Sequence, residues 1–155
     1  MLGFWVPEFH LSIRKAQKFQ PKFYFFDVGV CSALEGTLDA IPVPRTSTYG
    51  QYFESYVMTE VYRLNLYSQK DYRIAHYQTT SGGEINLVLS KGTKKIVIEI
   101  KSATSVDPQE VKSFARLALA FKAAKKYFVS QDPIASEIED VSCLHFKDFL
   151  SEVFI

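Results

Sequence analysis

Cysteine is scarce in this sequence, and the arrangements of cysteine and histidine that bind zinc are missing from it. The 155 residues include two cysteines, Cys31 and Cys143, which lie far apart. No C-x-x-C pair occurs, and His10, His76 and His145 have no spacing typical of metal ligands. We therefore expect a reduced, cytoplasmic protein in which the histidines are structural.

Long apolar runs, a signal peptide and a strong net charge are also absent from the sequence. Neither secretion nor a membrane span is therefore expected. The formal net charge is +1 at pH 7, so any contact with nucleic acid must come from a local basic patch. The candidate patch, for which a solvated segment is the alternative interpretation, is Arg14, Lys15, Lys18 and Lys22.

Apolar and aromatic side chains are plentiful, at 47% and 15% of the residues. This composition favours a globular chain over a disordered one, and the length suffices for a single domain with a sizeable core. We expect a strand, a short helix and a loop over residues 1–48 that pack on an α/β core over residues 49–155. The apolar segment Phe4-Trp5-Val6 is a candidate surface for packing on a partner.

A predicted β-hairpin from Ser81 to Ser102 organises the rest of the chain. Its strands, Glu84–Leu89 and Lys95–Lys101, are rich in β-branched and aliphatic residues, and a turn around Gly92 joins them. If Leu89 lies opposite Ile96, alternate and directly opposed residues divide the side chains between two faces. The polar face then holds Glu84, Asn86, Glu99 and Lys101, and the apolar face holds Ile85, Leu87, Leu89, Ile96, Ile98 and Ile100.

Glu99 is the most informative residue of the hairpin. It lies within Ile-Val-Ile-Glu-Ile, a run typical of a strand that is buried on both faces. A buried carboxylate costs several kcal/mol unless it is paired, protonated or bound to a metal. A structural ion pair with Lys101 is one explanation, and a metal-binding or catalytic carboxylate is the other.

Helices are predicted on both sides of the hairpin in the sequence. Thr48 and Gln51 have the spacing of a capping box, and a stripe of apolar residues follows at helical spacing. Glu54 borders this stripe, where a solvated helix carboxylate is the ordinary interpretation. Asp107 and Pro108 are typical of the start of a second helix.

The order of predicted elements is a helix, three strands, a helix and a strand, which predicts a mixed sheet with helices on its faces. This order, with an acid on the first helix and acid-x-Lys on the third strand, resembles the core of the restriction-endonuclease-like superfamily, named for its PD-(D/E)xK motif. The resemblance implies a Mg²⁺ site that activates water for phosphodiester hydrolysis. Its residues would be Glu54, Asn86, Glu99 and Lys101.

Four segments carry a closer resemblance. KFYFFDVGVCSAL, GQYFESYVMTEV, SGGEINLVL and IVIEIKS are similar to the uncharacterised C-terminal domain of a family of bacterial and archaeal AAA-type P-loop ATPases. In that family the domain follows an ATPase module, whereas no G-x-x-x-x-G-K-[ST] motif occurs in this sequence. We therefore expect neither ATP hydrolysis nor a bound nucleotide.

One position departs from the pattern of that family. The pattern at the second strand is Glu-Val-Asp-Phe, and this sequence has Glu84-Ile85-Asn86-Leu87. The neutral amide of Asn86 replaces a carboxylate, and this should weaken the binding of Mg²⁺ or Mn²⁺. Glu84, which is predicted on the same face, is a candidate substitute ligand.

Three functions remain open from the sequence. The first is a nuclease-fold C-terminal module of an ATPase family that binds DNA or RNA, or docks on a partner, with little or no cleavage. The second is a Mg²⁺- or Mn²⁺-dependent nuclease that uses Glu54, Glu84, Glu99 and Lys101. The third is a regulatory domain that docks on an ATPase module or self-associates through Phe4-Trp5-Val6.

Overall fold

The computed structural model describes residues 2–12, 20–36, 39 and 41–155. Within these residues the chain forms a mixed α/β structure. The strands are β1 (Gly3–Val6), β2 (Lys22–Phe25), β3 (Arg73–Gln78), β4 (Glu84–Lys91), β5 (Lys94–Ile100), β6 (Lys125–Ser130), β7 (Ser136–Ile138) and β8 (Val141–His145). The helices are α1 (Val28–Leu34), α2 (Ser47–Tyr67), α3 (Pro108–Ala118) and α4 (Phe146–Phe154).

Six strands form the main sheet, in the order β3-β4-β5-β6-β8-β7. The β5–β6 and β6–β8 pairs are parallel, and the other pairs are antiparallel. Helix α3 makes the crossover between parallel strands β5 and β6, as the sequence predicted. The predicted mixed sheet flanked by helices is therefore confirmed. The short strands β1 and β7 were not predicted from the sequence.

Two apolar cores lie on opposite faces of this sheet. One core joins β1 and β2, α2 and α4 to the sheet through residues such as Val57, Ile98 and Phe149. The other joins α3 to the sheet, with Phe114 and Val97 among its buried residues. No helix in the described part of the chain combines the length and the apolarity that crossing a bilayer requires.

The segment Phe4-Trp5-Val6 belongs mainly to the core of the molecule itself. It forms β1, which pairs with β2 in a separate two-stranded sheet. Phe4 and Val6 are buried against α2, whereas Trp5 is 65% exposed. Strand alternation turns Phe4 and Val6 inward, so Trp5 is the residue of this candidate surface that remains exposed, and docking through the segment stays a prediction.

The β4–β5 register agrees with the prediction where the two strands pair, since Leu89 lies opposite Ile96. A β-bulge, however, interrupts the pairing of β3 with β4. Ala75 lies opposite Val88, but Tyr77 lies opposite Ile85, so β4 carries one extra residue between these pairs. The bulge turns Ile85 to the α3 face, where it is buried, and the prediction that Ile85 shares a face with the other apolar hairpin residues is wrong.

The N-cap of α2 also differs from the prediction. The helix is capped by Thr46, whose side chain accepts a hydrogen bond from the backbone N–H of Tyr49 at 3.2 Å. Thr48, the predicted cap, lies inside the first turn. The apolar stripe was assigned correctly, because Phe53, Val57 and other residues of α2 at this spacing are buried.

Candidate functional site

Glu99 and Lys101 form an ion pair where β5 ends. Glu99 is the penultimate residue of this strand, and its Oε1 lies 3.2 Å from Nζ of Lys101. The side chain of Glu99 is 13% exposed, whereas that of Lys101 is 42% exposed. The lysine thus presents a charge to solvent beside a largely buried carboxylate.

The environment of Glu99 opposes its ionisation. Burial raises the pKa of Glu99 to about 7, the carboxylates of Glu54 and Glu84 add to this rise, and Lys101 offsets it in part. Its Oε2 atom is buried and has no hydrogen-bond partner within the described residues. A carboxylate with one unpartnered oxygen is destabilised when charged, and a proton or a cation at this oxygen would relieve that cost.

Lys101 stays charged in this environment. The carboxylates of Glu99 and Glu110 outweigh the effect of burial and raise the pKa of the Lys101 ammonium above its ordinary value. The pair therefore combines a carboxyl group that titrates near neutral pH with a permanent cation. Such a pair can hold a proton at Glu99 or stabilise negative charge next to Lys101.

Glu54 lies on α2 and faces strand β2 of the small sheet. The hydroxyl of Tyr24 donates a hydrogen bond to Oε1 of Glu54 at 2.6 Å, and Nζ of Lys22 lies 3.9 Å from the same oxygen. Burial and the carboxylate of Glu54 raise the pKa of the Tyr24 phenol well above its usual value, so the phenol remains a neutral donor.

Glu84, at the start of β4, pairs with the same lysine. Nζ of Lys22 donates a short hydrogen bond to Oε1 of Glu84. The ammonium of Lys22 therefore lies between the carboxylates of Glu54 and Glu84. Strand alternation and the bulge in β4 place Glu84 on the α2 side of the sheet and Glu99 on the α3 side, so the prediction that these two share one face is wrong.

Asn86 has a structural role at the point where β4 and β5 separate. The ladder between these strands ends at the Leu87–Ile98 pair. Beyond it, Oδ1 of Asn86 accepts a hydrogen bond from the backbone N–H of Ile100 at 2.8 Å. The amide oxygen that was predicted as a metal ligand therefore already accepts a hydrogen bond from a backbone donor.

These residues do not fit a bound Mg²⁺ or Mn²⁺ in the arrangement that the structure shows. Among the described residues, no group of three or more His, Cys, Asp or Glu side chains is placed to hold a metal ion. Lys22 pairs with both Glu54 and Glu84, and the oxygen of Asn86 already accepts a hydrogen bond from the backbone. The unpartnered oxygen of Glu99 suits a cation, but water or substrate would have to supply the other ligands of either metal.

The sequence analysis did not foresee the role of Lys22 and Tyr24. Lys22 was predicted as a nucleic-acid contact, but its ammonium is committed to two carboxylates. The other predicted contacts, Arg14, Lys15 and Lys18, lie outside the described residues. Alternation along β2 places Lys22 and Tyr24 on one face, yet their partners lie 62 and 30 residues away, and no local pattern indicates them.

Comparison with known proteins gives a family for most of the chain. Residues 49–149 match the model of a family described as a domain of unknown function, DUF4143. The matched region begins in the first turn of α2 and ends within α4, so it includes Glu54, Asn86, Glu99 and Lys101 but not Lys22 or Tyr24. No curated protein matches the chain.

Proposed function

The chain belongs to the DUF4143 family, and we propose that it is a restriction-endonuclease-like module that binds nucleic acid without cleaving it efficiently. The order of α2, the β3-β4-β5 meander, α3 and the parallel strand β6 supports this architecture. The Glu99–Lys101 pair at the end of β5 supports the proposal that this site corresponds to the acid-x-Lys site of the superfamily. We also propose that related chains carry this module attached to an AAA-type ATPase.

The placement of Lys22 carries the proposal that the module cleaves poorly. A metal-dependent phosphodiesterase needs carboxylates that are free to hold a divalent cation. In this chain the ammonium of Lys22 lies between Glu54 and Glu84 and takes the place of such a cation. The ammonium offsets one of the two negative charges of this pair, and the amide of Asn86 adds no charge to attract a metal.

Cleavage assays with Mn²⁺ on plasmid DNA and on single-stranded RNA test this proposal. We expect no metal-dependent product from the native chain above that of the Glu99→Ala variant. We expect Asn86→Asp combined with Lys22→Met to gain cleavage, because the pair restores one carboxylate and frees two others. Lys147→Met, which removes an exposed charge on α4, is the matched control for Lys22→Met.

The assay contradicts the proposal if the native chain cleaves in Mn²⁺ and Glu99→Ala abolishes the activity. That result would favour the second function, a metal-dependent nuclease, and would require Lys22 to move away from the carboxylates. If the double variant also fails to cleave, the assignment of the site to the nuclease superfamily loses its main support, even where the fold is retained.

A docking function is the second candidate, and one observation favours it. The rings of Trp5 and Phe23 lie 4.9 Å apart on the outer face of the small sheet, and both side chains are exposed. Exposed aromatic pairs are common at protein interfaces. Sedimentation velocity of the native chain and of Trp5→Ser tests this function, because self-association through this face predicts a concentration-dependent species that the variant lacks.

A further inference from the structure

Basic side chains concentrate at the turn of the β4–β5 hairpin, at the opposite end of β5 from Glu99. We call this group the basic end. It consists of Lys70, Arg73, Lys91, Lys94, Lys95 and Lys125. Asp71 lies beside these six cations, and Asp140, in the turn between β7 and β8, lies at the same end of the sheet and pairs with Lys126. The six cations and Asp71 carry a formal charge of +5, whereas the whole chain carries +1. The basic end is therefore a local concentration of positive charge, which the net charge of the whole chain does not indicate.

The topology of the sheet gathers these residues from four separate stretches of sequence. Arg73 lies opposite Ser90, and Ser90 lies opposite Lys95, so Arg73 and Lys95 share one face. Lys91 lies opposite Lys94 at the turn, on the other face. Lys125 is the first residue of β6, and it lies beside Ile96 in the parallel β5–β6 pair. It therefore lies at the same end of the sheet as the turn of the hairpin.

Most of these cations are not committed to carboxylates. Among the ion pairs formed within the described part of the chain, the one between Lys91 and Asp71, at 3.8 Å, is the only one that involves the basic end. Nζ of Lys94 lies over the ring of Tyr72 at 5.5 Å from its centroid, which orients the lysine without neutralising it. Arg73, Lys94 and Lys125 are exposed.

This arrangement contrasts with that of Lys22 and Lys101, each of which pairs with a carboxylate. Lys91 and Lys94 lie opposite each other on neighbouring strands, and the other cations lie at the same end of the sheet. Cations grouped in this way suit a ligand with closely spaced negative charges. Five of the six are lysines, which act as flexible point charges and do not read base edges as a fixed arginine fork does. The chemistry fits a phosphate backbone bound without sequence preference.

We propose that the basic end binds the phosphate backbone of nucleic acid. This inference rests on the proposed function and names the surface through which the module binds. The seven residues of β5 span about 20 Å, so a strand held at the basic end lies well away from the Glu99–Lys101 pair. Binding at the basic end can therefore be changed by substitution without altering the carboxylate cluster.

Fluorescence anisotropy with a labelled 30-base-pair DNA duplex, titrated at several salt concentrations, tests the inference. The basic-end variant carries Arg73→Gln, Lys94→Gln and Lys125→Gln. The matched control loses three positive charges from α3 and α4 through Lys112→Gln, Arg116→Gln and Lys147→Gln. Thermal unfolding of both variants verifies that they remain folded.

We expect the native chain to bind with an affinity that falls steeply as salt rises. The basic-end variant should bind at least tenfold more weakly in 0.1 M salt, and its slope of log affinity against log salt should decrease by about 2 to 3, since each lost phosphate contact contributes about 0.9. The control variant should lose less than about threefold. Vesicles of phosphatidylserine and phosphatidylcholine should bind more weakly than the duplex.

Four results would overturn the inference. Equal losses in the two variants would mean that overall charge, and not this surface, governs binding. If the native chain binds the duplex and the basic-end variant binds it equally well, the binding surface lies elsewhere. The proposed function would then still stand. Tighter binding to the vesicles than to the duplex would identify an anionic lipid surface as the ligand. A native chain that binds no nucleic acid at all would remove both the surface and the binding part of the proposed function.

Discussion

At the scale of single residues, three neighbouring carboxylates of this protein differ in the partners that they contact. Glu84 and Glu54 share the ammonium of Lys22, and Glu54 also accepts a hydrogen bond from Tyr24. Glu99 has Lys101 on one oxygen and no partner on the other within the described residues. The protonation of Glu99, which has this buried oxygen, should therefore depend on pH near neutrality.

Glu99 should make the stability of the protein depend on pH. Its pKa is about 7 in the folded state against 4.5 ordinarily, so between these values the folded state binds a proton that the unfolded state has lost. The free energy of unfolding must then decrease as pH rises from 4.5 to 7, by about 3 kcal/mol, and stay level above. Urea denaturation of the native chain and of Glu99→Gln, compared from pH 4.5 to 8, measures this contribution.

The glutamine variant should gain stability relative to the native chain as pH rises. Glu137→Gln, which changes an exposed carboxylate in β7, serves as the control and should show no such trend. A constant difference between native and Glu99→Gln across this range would mean that Glu99 is ionised in the folded state at acidic pH. The site would then not favour a protonated Glu99.

At the scale of elements, the N-terminus of α2 provides a test that does not involve the site. The cap lies at Thr46, two residues before the position that the capping-box pattern indicated. Thr46→Ala should lower the free energy of unfolding by about 1 kcal/mol, because it removes an acceptor for the N–H of Tyr49. Thr48→Ala, inside the first turn, should change it by less than about 0.5 kcal/mol. Urea denaturation separates the two, and a larger loss in Thr48→Ala would contradict the observed cap.

The strands show which structural features a local sequence pattern predicts and which features it does not predict. Alternation within the hairpin gave the pairing of Leu89 with Ile96, because turn and strands are adjacent in the chain. The bulge opposite β3 depends on a different strand pair, and it reversed the predicted face of Ile85. Strand β7 has three residues, too few to show an alternating pattern.

At the scale of the whole molecule, the two ends of β5 have opposite characters. One end places three glutamates and two lysines in mutual contact or proximity, and the other concentrates uncommitted cations. The buried strand pattern singled out Glu99, and the resemblance to the nuclease superfamily added Glu54 and Lys101 as predicted site residues. The sequence did not indicate Lys22 as their companion, since β2 reaches the site from outside the segment that matches the DUF4143 model.

If Lys22 occupies the position of a divalent cation, its removal should create a site for Mn²⁺. Isothermal titration should be run on the native chain, Lys22→Met, Glu84→Gln and the double variant, with Lys147→Met as control. Lys22→Met should bind Mn²⁺ at least about tenfold more tightly than the native chain, because a cation within 4 Å of two carboxylates opposes a second one strongly. In the Glu84→Gln background the gain should shrink to less than about threefold. If Lys22→Met binds no more tightly than the native chain or Lys147→Met, Lys22 does not hold the cation position.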